Sequence, residues 1–273
     1  MAHVIQVGAG SGGMPVLDMI CRDERITQVT LIEPDLYKPH NLQRHLFPAS
    51  AIGEAKAEWA QRWLQERRSD IEIRVLTCDV MEPKQQAAIE RAAADADIGI
   101  CAADNEPAKY HWDAIMRRHR LPWTLGEVLS GGIGGFVHWF VPGGPCYGCV
   151  ASFLQRSVKE EQDKPPDYSQ PGGTQETAIP ASMASIHVIA SLHALITLEL
   201  LDDPEHYNPG FTSLLFTLKR VEGVFAEALR PHRFRIPRAE NCLLCGPGSG
   251  KGDDLPADLD AALNDALARL NDA

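Results

Sequence analysis

Val4-Ile5-Gln6-Val7-Gly8-Ala9-Gly10-Ser11-Gly12-Gly13 is the stretch that decides the fold. Four residues of strand character run into a glycine turn. Helical spacing follows over 12–22, with Met14, Leu17 and Cys21 on one face. Gly8, Gly10 and Gly13 fit the pattern G-x-G-x-x-G. Glycines there permit a tight turn and close approach of backbone to phosphate, and the helix N-terminus favours the negative charge. Glu33 ends a second apolar strand, 29–32, 20 positions after Gly13. A carboxylate at that place can accept hydrogen bonds from ribose hydroxyls. The context predicts a nucleotide site without naming the nucleotide; taken alone it makes NAD the default.

Outward from this stretch, strands and helices alternate. After a loop containing Pro34, Pro39 and Pro48 come a helix at 52–67, with Trp59 and Trp63 on one face, a strand at 71–76 and a helix at 84–94. A strand at 98–101 and a helix at 106–119 follow, with Asp104 and Asn105 as candidate caps. The alternation predicts an α/β fold: a doubly wound, Rossmann-like, mostly parallel sheet with helices on both faces. Past Pro122 the reading is a strand at 133–141, a helix at 181–201 and short antiparallel strands over 211–236. The expected organisation is a nucleotide-binding half, 1–122, and a sheet extension, 123–252, in the same domain. The extension carries a long crossover loop, 155–180. An acidic amphipathic tail, 253–273, has Leu255, Leu259, Leu263, Leu267 and Leu270 on one face. It reads as a terminal helix packed on its own domain, with docking to a partner as the alternative.

The 273 residues carry 26 Lys plus Arg against 37 Asp plus Glu, a net charge of −11. Such a surface argues against sequence-independent binding to nucleic acid, which rests on neutralising phosphates. The helical pattern at 181–201 is interrupted by His187, His193 and Glu199, so no membrane span is expected. Met1-Ala2-His3 enters a strand without a basic segment, so no secretory signal is expected and the cytoplasm is the expected compartment. The seven cysteines then read as metal ligands, catalytic thiols or core residues before disulfides. Cys146-Tyr147-Gly148-Cys149 and Cys242-Leu243-Leu244-Cys245 are two C-x-x-C pairs. Four thiolates so arranged make a tetrahedral Zn²⁺ site, and a closed site with no open position is structural. A redox dithiol or fortuitous core cysteines are the rivals. Cys21, Cys78 and Cys101 read as core residues.

The loop after Glu33 is unlike that of a dehydrogenase. It contains Asp35 and Asn41-Leu42-Gln43-Arg44-His45; Lys56 and Asp104 follow further on. An Arg and a Lys beside a phosphate loop can hold a triphosphate and stabilise charge developing on it. Asp104, past the end of a parallel strand, is placed to hold Mg²⁺. His40 and His45 read as loop-packing residues, with phosphate contact as the alternative. His187 and His193, six apart, do not share a helix face and make no metal pair.

The glycine loop, Glu33-x-Asp35, Asn41-Leu42-Gln43-Arg44, Lys56 and Asp104-Asn105 together resemble the adenylating domain shared by ThiF, MoeB and the ubiquitin-activating enzymes, over 4–246. The resemblance implies that Glu33 binds ribose, that Asn41, Arg44 and Lys56 contact the phosphates of ATP, and that Asp104 binds Mg²⁺. The family's matching cysteines support the Zn²⁺ site. The implied reaction joins the C-terminal glycine carboxylate of a ubiquitin-like or sulfur-carrier protein to AMP, releasing pyrophosphate. Positioning and charge stabilisation do most of that catalysis, and no general base is needed because the carboxylate is already ionised. Many members carry a nucleophilic cysteine in the loop matching 155–180; here no Cys lies between Val150 and Asn241. The acyl-adenylate is therefore the expected product, passed to a thiol on a conjugating enzyme or sulfurtransferase. A loop cysteine replaced, for instance, at Ala178 is the alternative. The resemblance also implies a homodimer. The helix that precedes the first strand in MoeB-type dimers, and supplies a trans arginine, is not expected because the strand begins at His3. Competing readings are an NAD-dependent oxidoreductase, activation of another carboxylate such as a peptide C-terminus, and an inactive scaffold subunit. The first leaves Arg44, Lys56, Asp104 and the cysteine pairs without a role; the last would be expected to have lost the phosphate residues.

Overall fold

β1 (Ala2–Val7) is buried at every position, as a strand must be with a neighbour on each edge and helices on each face. β2 (Ile26–Ile32) and β4 (Ile98–Cys101) flank it in parallel. β3 (Glu72–Leu76) adds to β2, and β5 (Trp123–Val128) to β4, also in parallel. β6 (Gly134–Phe140), β7 (Ser213–Thr217) and β8 (Arg230–Phe234) continue the same sheet antiparallel. The order is β3-β2-β1-β4-β5-β6-β7-β8. The chain reverses its direction of progress between β1 and β4, and a doubly wound sheet binds ligands outside the strand C-termini at that point. These features belong to a computed structural model that describes residues 1–154 and 180–246. The expected crossover loop, bar Pro180, and the acidic tail lie outside the described residues.

Alternate side chains of the strands feed two cores. Val4, Val29, Leu31, Ile98 and Ile100 pack under α1 (Gly13–Ile20), α2 (Lys56–Gln65) and α6 (Met183–Asp202). Ile5, Val7, Ile32 and Leu125 pack under α3 (Gln86–Ala94), α4 (Glu106–Arg118) and α5 (Tyr147–Phe153). Cys21, Cys78 and Cys101 are buried in these layers. Burial pushes their thiols up, those of Cys21 and Cys101 to about 12, which makes them inert small hydrophobes.

The structure departs from the sequence reading in three places. β5 has no counterpart in the sequence reading, because Gly126 and Glu127 interrupt its apolar pattern. The helix expected over 52–67 begins only at Lys56, because a 3₁₀ turn (Ala49–Ala51) and Gly53 at φ +92° come first. α6, at 20 residues, is long and apolar enough by composition to cross a bilayer, contrary to expectation. Half of it is buried, where it packs on α1, β5 and β6.

His193 of α6 illustrates the fit. Its Nε2 lies 2.9 Å from Thr124 Oγ1, and its ring occupies the space a Cβ on Gly126 would need, with Nδ1 2.4 Å away. Burial pushes its pKa down to about 3. The native imidazole is neutral, so unfolding takes up a proton below about pH 6.5 and stability falls as pH drops toward 3. Unfolding free energies in urea are expected to fall more steeply from pH 6.5 to 4.5 in the wild type than in His193→Gln. The difference should approach about one proton per molecule; parallel slopes would remove His193 from the account.

Candidate functional site

The glycine loop joins β1 to α1 at the C-terminal end of the sheet. Gly8 has φ +91°, and a Cβ there would lie 2.7 Å from Ala102 O; one on Gly13 would lie 2.3 Å from Gly8 O. These two glycines are required for close packing. Among the described residues nothing lies within 4 Å of the position a Cβ would take on Gly10 or Gly12, so their backbone is open there to a ligand. Gln6, buried in β1, supports the turn from beneath: its Nε2 donates to Gly8 O at 2.8 Å and Gly13 O at 3.0 Å.

The long loop after β2 is folded back on itself. Tyr37 N–H donates to Glu54 O, and Gly53 N–H to Tyr37 O, each at 2.8 Å. This pairing brings Lys56, the first residue of α2, against the end of β2. Its Nζ lies 2.8 Å from Asp35 Oδ2 and 3.9 Å from Glu33 Oε1. Glu33 is buried, and its carboxylate accepts from Ala9 N–H at 2.5 Å and Asp35 N–H at 2.9 Å. Burial outweighs these partners and raises its pKa. Asn41 spends its Oδ1 on Lys38 N–H at 2.9 Å, shaping the turn before Arg44. Arg44 is half-buried, and its Nε is buried without a hydrogen-bond partner among the described residues. A buried guanidinium nitrogen left unpaired is costly unless a ligand completes it.

Asp104 is exposed just past β4, two residues after the Ala102 carbonyl that packs on Gly8. Asn105, not Asp104, is the helix cap: its Oδ1 accepts from Ala108 N–H at 2.8 Å. The Asp104 carboxylate is therefore not committed to α4. Lys109 is buried in α4, with Nζ 2.8 Å from Glu106 Oε1 and 2.5 Å from Glu127 Oε1. The Tyr147 hydroxyl donates to Glu106 Oε2 at 2.6 Å. A lysine in an amphipathic helix carries no sequence signal that it will be buried.

The four paired cysteines meet, 96 positions apart in chain order. Sγ–Sγ distances are 3.7 Å for Cys146–Cys149 and 3.5 Å for both Cys146–Cys242 and Cys149–Cys245. All four sulfurs lie within 4.8 Å of one another. Tetrahedral zinc with bonds of about 2.3 Å needs sulfurs about 3.8 Å apart, so the cluster fits the ion. α4 holds the second pair from behind: Arg117 Nη1 donates to Leu244 O at 2.8 Å while its Nε donates to buried Asp113 at 2.9 Å. Arg238 donates to Cys245 O. A cavity of about 330 Å³ beside the cysteines is lined by Arg117, Arg120, Trp123, Phe140 and Arg238. It opens at the end of the sheet opposite the glycine loop and belongs to no part of the nucleotide arrangement.

Comparison with known proteins follows the same outline. The ThiF family matches residues 1–242. The SAMP-activating enzyme E1 of Haloferax volcanii is 25% identical over 150 residues, 55% of this chain and 53% of that protein. The chain thus spans about half the length of that curated relative. E. coli MccB with ATP superposes with a TM-score of 0.65 at 18% identity, covering 90% of this chain and 67% of that one. MccB with AMPCPP and MccA gives 0.66 at 19%, covering 90% and 66%. At such identities the likeness is one of fold. The family match takes in every strand of the sheet and reaches the first cysteine of the second pair: the chain belongs to the ThiF family.

Proposed function

We propose that the protein uses ATP to adenylate the C-terminal glycine carboxylate of a small ubiquitin-like or sulfur-carrier protein. The carboxylate oxygen attacks the α-phosphorus, the bond to the β-phosphate oxygen breaks, and pyrophosphate leaves. The product is the mixed anhydride of the carboxylate with AMP. The observation that carries the reading is the buried Arg44 Nε, unpartnered among the described residues, in the loop whose own residue, His45, touches the open glycine turn. A polyphosphate against Gly10 and Gly12 would complete that donor. Lys56 stands on the same turn through Glu33 and would neutralise the charge that builds up as pyrophosphate departs. Glu33 keeps lone pairs beyond its two backbone bonds, which suits it to ribose hydroxyls. Asn41 would act through the turn that presents Arg44. Asp104 would hold Mg²⁺, which supplies charge neutralisation on the phosphates when bound. The relatives named for SAMP and for MccA support a protein or peptide carboxylate as substrate. With no Cys from Val150 to Asn241, the acyl group passes to a thiol on another protein, and a homodimer is the assembly the family reading favours.

ATP–pyrophosphate exchange with ubiquitin-like proteins ending in Gly-Gly tests this, run beside Asp104→Ala. The expected result is exchange that depends on the partner and is lost in the variant, with no reductant-sensitive thioester on this chain. Exchange retained by Asp104→Ala would refute the site. A chain that binds NAD and not ATP would refute the reaction.

A further inference from the structure

We propose that His45 is a positioning residue for the glycine loop: its imidazole and the Glu33 carboxylate grip Ala9 through the two peptide groups that flank it, and that grip sets how tightly the loop holds a nucleotide's phosphates. The inference rests on the nucleotide-site reading above.

Ala9 is fully buried. Its N–H donates to Glu33 Oε2 at 2.5 Å, and its carbonyl oxygen lies 2.8 Å from His45 Nε2. The tautomer follows from the second ring nitrogen. Nδ1 faces the Phe47 N–H at 3.3 Å. A backbone N–H only donates, so Nδ1 accepts and the proton sits on Nε2, which donates to Ala9 O. The ring is held before any ligand arrives. It is 4% exposed, with the Tyr37 ring edge-on at 5.1 Å and the Phe47 ring at 4.3 Å. Tyr37 closes the unit by donating its hydroxyl to Phe47 O at 2.9 Å. With Nε2 committed to Ala9, His45 has no donor left for a phosphate.

The loop needs such a grip. Ala9 stands between Gly8 and Gly10, and glycine on both sides makes rotation of the intervening peptides cheap. Rotation of either peptide group flanking Ala9 would turn a carbonyl toward the place where phosphate oxygens come, and ordering the loop would then be charged against binding. Two hydrogen bonds to opposite ends of one residue prevent this. The arrangement also keeps the histidine uncharged. Burial, and then the neighbouring Lys56 and Arg44, push its pKa down to about 4 against the pull of Ala9 O.

The test compares wild type with His45→Gln, whose amide N–H can replace Nε2, and with His45→Leu, which keeps bulk but donates nothing. Long-range ¹⁵N NMR of the wild type should show the Nε2–H tautomer of His45. Hydrogen exchange at Ala9 and Gly10 should quicken in His45→Leu and stay near wild type in His45→Gln. The dissociation constant for MgATP, by calorimetry, should rise about tenfold in His45→Leu, the effect of a buried carbonyl left without its donor. In pyrophosphate exchange the KM for ATP should rise with it while kcat holds; His45→Gln should restore both. A residue that merely packs would lower the melting temperature without this split. The Nδ1–H tautomer, or wild-type exchange and affinity in His45→Leu, would overturn the proposal. If His45→Leu does not fold, the tautomer and His45→Gln still decide. If the wild type binds no ATP, the nucleotide reading falls, while the tautomer and Ala9 exchange still decide the grip.

Discussion

Alanine at Lys56 is expected to lower pyrophosphate exchange by about 10²–10³-fold with the fold in place, the scale seen when one preorganised donor to developing charge is removed. The backbone of Lys56 is what the structure needs: its N–H donates to Asp35 O at 3.0 Å at the entry to α2. Alanine keeps that bond and is a better helix former. The ammonium is what the chemistry needs. Its side chain is 8% exposed, while that of its nearest partner, Asp35, is 56% exposed. Solvent screens that pair, whose loss alone should cost on the order of 1 kcal/mol; the buried Glu33 carboxylate, 3.9 Å away, loses its counter-charge as well and adds to the cost. Exchange at saturating ATP, measured with a thermal melt on the same preparation, separates the two effects. A folded variant exchanging within about threefold of wild type would remove Lys56 from the reaction, since threefold is under 1 kcal/mol.

One zinc ion per chain is expected, and its loss should be the most damaging single change to stability. The cysteine pairs are 96 positions apart, so the metal closes a long loop. A cross-link over about 100 residues is worth about 4–5 kcal/mol in chain entropy alone. The same ion would tie α5 to the chain beyond β8, whose second cysteine pair is braced on α4 by the bond from Arg117 to Leu244 O. Cys149→Ser, or a strong chelator, should therefore lower the melting temperature by about 10 °C or more, at 2–4 °C per kcal/mol for a chain of this size. Metal analysis gives the stoichiometry. A Cys149→Ser protein with full zinc content and an unchanged melt would refute the site; metal-free wild type that melts like the holoprotein would refute its structural role.

What could be read from the sequence, and what could not, divides along physical lines. β1, β2 and β4 are central strands, and central parallel strands read as near-continuous apolar runs broken by a few polar residues such as Gln6, so they announce themselves. β5 is central too, yet its Gly126 exists for the ring of His193, 67 positions later, and its Glu127 is answered by Lys109 from another element. Both look like loop residues until the tertiary structure supplies their partners. The site divides in the same way. Gly8 to Gly13 and the two C-x-x-C pairs are local patterns with local causes. The meeting of Lys56 with Asp35 depends on the loop folding back through Tyr37 and Gly53, which no periodicity encodes. The Ala9–His45 bond, 36 positions apart, is hidden for the same reason; the sequence shows only that His45 stands beside Arg44.

The composition of α6 has a consequence for how the chain is made. A helix this apolar would be a hazard in a nascent polypeptide, seeking membranes or other unfinished chains. Its docking surface is built from α1, β5 and β6, all of which leave the ribosome before it does. Synthesis from the N-terminus thus delivers the shelter ahead of the element that needs it. A circular permutant opening the chain just before α6 would reverse that order, and its soluble yield should fall even where its finished structure is the same.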